Sequence, residues 1–264
     1  MDRPLISIVI PTYNRAFCIE ATINSVLQQS YSNLEILIID DQSTDNTGSL
    51  IENQQRKDNR IRYFAHIENK GVSEARNTGI RNARGKYLIF LDSDDLFHRN
   101  YLHSFVGQLS VNNPDIVFCN FNLSSNNVNV ANKKPVSDIR NLKKTLIDGS
   151  QMNQIGSIIW KMDFLVSKRL SFLQGLNIGE DRLFIIKALL KKPIVNFGNF
   201  ESVIVKSGDW DSLTRNYLSK KNKLAQFRSK LLIQITLISS PLLFFRGIKP
   251  LLITLYNLIK TYKK

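Results

Sequence analysis

Short runs of aliphatic, often β-branched residues alternate with segments of helical periodicity over the first 125 residues, and this alternation constrains the fold most. Strands that are apolar on both faces are typical of a mostly parallel sheet covered by helices on two sides. The sequence therefore predicts an α/β fold. The predicted strands are 5–10, 34–39, 61–65, 87–91 and 116–121, and the predicted helices are 17–29, 45–56, 72–84 and 99–111.

The second half of the chain gives weaker signals. Residues 123–135 are rich in Asn and Ser, which indicates a loop between two halves of one domain. We expect the domain to cover residues 1–215, with a nucleotide-binding half at about 1–122 and an acceptor half at about 136–215. Within the acceptor half, the sequence predicts helices over 139–148 and 181–191, an irregular stretch around 155–160 and a strand near Val203.

The positive charge is concentrated at the C-terminus. The net charge is +14, yet residues 212–264 hold eleven basic and no acidic residues, which leaves 25 basic and 22 acidic residues in 1–211. The longest apolar stretch there, Leu231–Phe245, has 15 residues and is shorter than the roughly 20 that span a bilayer. Apolar residues recur there at helical spacing, at Leu224, Phe227, Leu231, Ile235, Ile238 and Leu242. Pro241 interrupts this pattern, which resumes from Ile248.

This pattern predicts that residues 216–264 form basic amphipathic helices that lie on an anionic membrane surface. The alternative is that the same helices pack against the body as ordinary helices. The six-residue apolar run at 5–10 is too short for a secretory signal, so we expect a cytoplasmic protein on the inner face of the cell membrane.

Two classes of protein are disfavoured by composition. The two cysteines, Cys18 and Cys119, are about a hundred residues apart, which argues against a disulfide scaffold. The nearly neutral body, together with a tail whose cations flank aliphatic residues, argues against a nucleic-acid-binding protein.

Acidic clusters follow two of the predicted strands, where the ligand crevice of a parallel sheet lies. Asp92-Ser93-Asp94 could direct two carboxylates to one hard cation that bridges phosphate oxygens. Capping of the next helix by Asp94 or Asp95 is the alternative. Asp41, at the end of another strand, could accept a hydrogen bond from a pyrimidine ring or a ribose hydroxyl.

Four ordered blocks together resemble the family 2 inverting glycosyltransferases of the GT-A fold. The resemblance is strong over residues 5–95, extends to about 214 and excludes the tail. It implies a nucleotide-sugar donor, usually a UDP-sugar, and a divalent cation, Mn²⁺ or Mg²⁺. The tail points to a lipid-linked or cell-surface glycan as the acceptor. The blocks are Ser7–Arg15, Asp40–Thr47, Asn69–Gly79 and Gly85–Asp95.

The resemblance also implies roles for residues of the first half. Asp94 would ligate the metal, Asp92 beside Ser93 would contact the ribose or the donor sugar, and Asp41 would accept from uracil. On its own, Arg76 would be interpreted as a solvated helix charge. The resemblance instead places it in the donor pocket with Asn69 and Asn77, while four residues would line the nucleotide: Pro11, Thr12, Tyr13 and Arg15.

In the second half, Glu180 and Asp181 open a predicted helix. Asp181 is an ideal N-cap, whereas the resemblance implies that it is the catalytic base and that Glu180 orients the acceptor. A helix N-terminus would lower the pKa of such a base. Trp160 could stack on an acceptor sugar or fill the core.

The stretch 206–214 lacks the histidine that the family often places near the metal, so Asp209, Asp211 or water would complete the metal shell. A sugar nucleotidyltransferase on a related fold is the alternative enzyme class.

Overall fold

The computed structural model describes residues 3–109, 113–125, 128–133, 139–148, 154–176, 178–206, 220–239 and 247–256. Within these ranges, nine strands form one sheet in the order β3-β2-β1-β4-β8-β6-β9-β5, with β7 paired to β6. The strands are β1 (Ile6–Thr12), β2 (Leu34–Asp40), β3 (Ile61–Ala65), β4 (Tyr87–Phe90), β5 (Leu96–Phe97), β6 (Ile116–Ser125), β7 (Val128–Lys133), β8 (Ile158–Lys161) and β9 (Val195–Lys206).

Apolar side chains cover both faces of this sheet. Alternate residues of β1 point to opposite sides, so that Val9 joins one core cluster while Ile8 and Ile10 join the other. Helices pack on both clusters, as the predicted α/β fold requires. They are α1 (Ile19–Leu27), α2 (Thr47–Lys57), α3 (Val72–Asn82), α4 (Tyr101–Gln108), α5 (Ile139–Asp148), α6 (Met162–Ser167), α7 (Glu180–Leu190) and α8 (Lys220–Thr236).

Strands β1 to β4 form the parallel part of the sheet that the sequence predicts. Beyond β4 the sheet is mixed: β8 runs antiparallel to both β4 and β6, and β9 is parallel to β6. The sheet as a whole is therefore mixed rather than mostly parallel. This arrangement sets the carboxyl ends of β1, β2 and β4 side by side.

Two predictions for the second half were wrong. The predicted loop at 123–135 contains the end of β6 and the antiparallel strand β7. Asn129 and Asn132 belong to β7, so an Asn-rich composition concealed a strand. The predicted irregular stretch at 155–160 holds a short 3₁₀ turn, Ile155–Ser157, followed by the central strand β8.

The described part of the tail is helical and packs on the body. We call α8 together with the 3₁₀ turn that follows it, Leu237–Ser239, the α8 segment. Its residues Ile233 and Leu237 belong to the same core cluster as the buried residues of α7. The opposite side of this segment exposes four apolar residues, as the helical spacing predicts: Leu224, Leu231, Ile235 and Ile238. No helix within the described ranges is both long enough and apolar enough to cross a bilayer. Leu242 and residues 257–264 lie outside the described residues.

Candidate active site

The loops that follow β1 and β2 are fastened to each other. Thr12 lies opposite Asp40 in the parallel register, and the Thr12 carbonyl accepts the backbone N–H of Asp41 at 2.9 Å. The backbone N–H of Arg15 donates to Thr47 Oγ1 at 2.8 Å, at the start of α2. Pro11 and Thr12 are buried, whereas Tyr13 is 45% exposed, so its ring is available to a ligand at this edge.

Asp41 is buried and already holds the next loop. Its carboxylate accepts hydrogen bonds from His66 Nδ1 at 2.8 Å and from the backbone N–H groups of Lys70 at 2.9 Å and Gly71 at 2.7 Å. The exposed Asn69 donates its side-chain amide to the Asp41 carbonyl at 3.0 Å. Asp41 therefore orders the segment that leads into α3, and its predicted bond to uracil stays a prediction. Sequence reasoning overlooked His66 because a lone histidine carries no signal for its partner.

The acidic motif lies in the connection between β4 and α4, where side chains from other segments hold it by hydrogen bonds. Thr22 Oγ1 donates to the Ser93 carbonyl at 2.8 Å. Asp95 is buried and accepts from Gln154 Nε2 at 2.6 Å. Helix α4 begins only at Tyr101, with Asn100 at its N-cap position. Neither Asp94 nor Asp95 caps that helix, so the capping alternative is wrong.

Asp94 lies in a crowded acidic environment. Burial, followed by the nearby charge of Asp92, raises the pKa of Asp94, while Arg15 and Lys206 act to lower it. A divalent cation would stabilise this crowded negative charge, so the residues present fit a metal. Among the described residues, no three His, Cys, Asp or Glu side chains form a ready-made metal site. Asp209 and Asp211 lie outside the described residues.

Arg76 connects the two halves of the site. It is 3% exposed, and its guanidinium donates to Asp92 Oδ1 and to Glu180 Oε1, both at 2.9 Å. It also lies over the Phe172 ring, with 5.2 Å between Arg76 Cζ and the ring centroid. Burial acts to lower the pKa of Arg76, but Asp92, Glu180 and Asp181 hold it above its usual value, so the side chain is cationic. The interpretation as a solvated helix charge is wrong.

Asp181 lies in the first turn of α7 and is not its cap. The cap position is Gly179, which adopts a left-handed conformation with φ +76°. Burial and then the charge of Glu180 raise the pKa of Asp181 to about 7, against the opposing charge of Arg76. The pKa decrease expected from the helix N-terminus is therefore outweighed. A carboxylate with a pKa near neutrality is suited to accept a proton in a reaction at pH 7.

Two predicted contacts are contradicted by burial. Trp160 is fully buried in β8 and packs edge-on against Phe184, with ring centroids 5.0 Å apart, so it fills the core and cannot stack on an acceptor. Asn77 is also buried. Its side-chain amide donates to the Phe172 carbonyl at 3.0 Å and its Oδ1 accepts the Phe172 N–H at 2.8 Å, so it clamps backbone instead of lining the donor pocket.

Solved structures of similar fold identify the architecture as GT-A. Staphylococcus aureus TarS 1–349 in complex with UDP-GlcNAc superposes with a TM-score of 0.74 at 20% identity, over 96% of this chain and 72% of that chain. The mannosyltransferase PcManGT from Pyrobaculum calidifontis, in complex with GDP-Man and Mn²⁺, superposes with a TM-score of 0.65 at 17% identity, over 95% and 74%. At these identities the likeness shows the fold alone.

The sequence assigns the family. The profile described as Glycosyl transferase family 2 matches residues 7–165, which is more than half of the chain. The chain therefore belongs to glycosyl transferase family 2, as the four blocks indicate.

Two curated proteins whose names describe glycosyltransferases are similar to part of this chain. An Escherichia coli protein named UDP-Glc:alpha-D-GlcNAc-diphosphoundecaprenol beta-1,3-glucosyltransferase WfgD is 39% identical over 48% of this chain and 49% of its own length. A Bacillus subtilis protein named putative teichuronic acid biosynthesis glycosyltransferase TuaG is 41% identical over 38% and 40%. The chain thus matches about half or less of the length of these relatives.

Proposed function

We propose that this chain is an inverting glycosyltransferase that moves a hexosyl or N-acetylhexosaminyl group from a UDP-sugar to a hydroxyl of a lipid-linked or cell-surface glycan. The observation that carries the proposal is the partly buried Asp181 carboxylate, whose raised pKa suits a base. Arg76 lies beside it and joins its neighbour Glu180 to Asp92 of the acidic motif after β4. The name of WfgD supports a lipid-linked acceptor, the name of TuaG supports a cell-surface glycan, and the TarS complex supports a UDP-sugar donor.

The proposed reaction is a single displacement. The acceptor hydroxyl oxygen forms a bond to the anomeric carbon, its proton passes to the Asp181 carboxylate, and the bond from the anomeric carbon to the diphosphate oxygen breaks. UDP leaves with the electron pair of that bond. Mn²⁺ or Mg²⁺ on Asp94 would supply positive charge to the diphosphate. Tyr13 and Arg15, at the edge formed by the first two strands, are the proposed nucleotide contacts, together with Asn69.

We also propose that the C-terminal helices hold the enzyme on an anionic membrane, at the inner face of the cell membrane. The support is the outward apolar face of the α8 segment, combined with an acid-free run of eleven cations over residues 212–264. Because the inner side of α8 packs on the core, the helix would join the body to the bilayer. No nucleic-acid partner is proposed.

The donor and the metal are tested together with a panel of nucleotide sugars. We expect one UDP-sugar to release UDP in the presence of Mn²⁺ and acceptor, and a chelator to abolish the release. Nuclear magnetic resonance of the product should show the anomeric configuration opposite to that of the donor. Release of pyrophosphate from a sugar phosphate and a nucleoside triphosphate would indicate the nucleotidyltransferase alternative, and a retained configuration would reject the single displacement.

A further inference from the structure

Arg76 and Glu180 are bound to each other in the structure, which leaves little of either side chain for a substrate. The Arg76 side chain is 4% exposed and that of Glu180 is 12% exposed. The two termini of the guanidinium are used by Glu180 and Asp92, and the Nε atom is buried without a hydrogen-bond partner among the described residues. The diphosphate and the acceptor would have to displace this bridge to reach either residue.

The ion pair of Arg76 and Glu180 lies next to Asp181, so that Asp181 has one positive and one negative neighbour. Glu180 precedes Asp181 in the first turn of α7, Arg76 faces it from α3, and Asp92 faces it from the loop after β4. The backbone N–H of Arg182 donates to Asp181 Oδ1 at 2.6 Å. Lys230 of α8 faces Arg182, whose charge, after burial, lowers the pKa of Lys230.

We propose that Arg76 and Glu180 are positioning residues that act on the reaction through Asp181, and that neither binds the donor or the acceptor itself. Through Arg76, which is 104 residues from Glu180 in the chain, the bridge fixes the first turn of α7 against the acidic motif. Glu180 disfavours the charged form of Asp181 and Arg76 favours it, so the pair sets the pH at which Asp181 can accept a proton. This inference rests on the proposed role of Asp181.

The two members of the bridge should therefore shift the pH profile in opposite directions. Asp181 is charged above its pKa of about 7, so kcat of the unmodified enzyme should fall as the pH drops through that value. Glu180→Gln removes a negative neighbour, lowers the pKa of Asp181 and should move the acid limb of kcat down by about one pH unit. Arg76→Gln removes a positive neighbour and should move the limb up.

A double variant distinguishes an electrostatic role from a merely structural one. Arg76→Gln with Glu180→Gln removes both charges, so its acid limb should return toward that of the unmodified enzyme even if kcat is reduced. If Arg76→Gln fails to fold, Arg76→Lys takes its place in the test. It keeps the positive charge and should therefore leave the acid limb where it is in the unmodified enzyme. In all folded variants KM for the UDP-sugar should stay within about twofold.

Glu35→Gln is the matched control, because Glu35 is a buried carboxylate paired with Arg62 at 2.7 Å near the opposite ends of the strands. It should change stability without moving the limb. This inference would be overturned if the acid limbs of kcat for Glu180→Gln and Arg76→Gln lay at the same pH, or if KM for the donor rose more than tenfold in either variant. Both results would leave the proposed function standing. Full transfer by Asp181→Asn would instead remove the proposed function.

Discussion

At the scale of single residues, Gly179 determines how the turn that presents Glu180 and Asp181 is placed. Its φ of +76° belongs to the left-handed region, which residues with a Cβ adopt only at a cost. A Cβ at this position would lie 2.3 Å from Ser229 Oγ on α8. The turn that presents Glu180 and Asp181 is therefore in close contact with the C-terminal helix.

We expect Gly179→Ala to lower the free energy of unfolding by about 2–4 kcal/mol, the sum of a backbone cost and an overpacking cost. Urea unfolding measures the change. Adding Ser229→Gly to Gly179→Ala should recover the overpacking part. Gly175→Ala is the matched control, since Gly175 has φ +69° but no atom within 4 Å of the added Cβ. A Gly179→Ala variant as stable as Gly175→Ala would contradict this view of the contact.

Residue types at strand ends could be predicted, but their partners could not. Asp92 and Asp94 follow an apolar strand directly, so local sequence was sufficient to single them out. Arg76 meets Glu180 across 104 residues and Asn77 meets Phe172 across 95, and no local pattern encodes such pairings. Whether Trp160 contacts an acceptor or fills the core could not be decided from the sequence either. Its burial follows from the central place of β8 in the sheet, which depends on distant strands.

At the scale of elements, the α8 segment has two different apolar faces. Ile233 and Leu237 enter the core, whereas Leu224, Leu231, Ile235 and Ile238 are between 38% and 63% exposed. The sequence spacing predicted the outward stripe, and the packing alternative is also correct for the inward side. Strand β7 was missed because Asn is typical of loops and is depleted in strands, although Val128–Lys133 begins with an apolar and polar alternation.

We predict that Ile235→Ser combined with Ile238→Ser weakens binding to vesicles of anionic lipid by about tenfold or more, because two apolar anchors are lost. Vesicle co-sedimentation measures the partition. Ile194→Ser is the matched control, since Ile194 is 54% exposed on the body, against 53% for Ile235. If the double variant binds vesicles as the unmodified protein does, or instead loses self-association in the ultracentrifuge, the membrane is not what covers this face.

At the scale of the whole molecule, one sheet unites two halves that contribute different groups. The parallel half supplies the acidic motif and the edge near Tyr13, and α7 of the second half supplies Asp181. Four sequence blocks in order were enough to predict the GT-A fold and the family. The junction of the halves could not be predicted, since it depends on β8 inserting antiparallel between β4 and β6.

The most direct test of the account is Asp181→Asn, assayed for transfer and for binding on the same preparation. We expect transfer to fall by about a hundredfold or more, because the hydroxyl loses its base, while UDP and Mn²⁺ bind as before. Asp163→Asn is the matched control, since Asp163 occupies the same place in the first turn of α6 but is exposed. Undiminished transfer by Asp181→Asn would contradict the account.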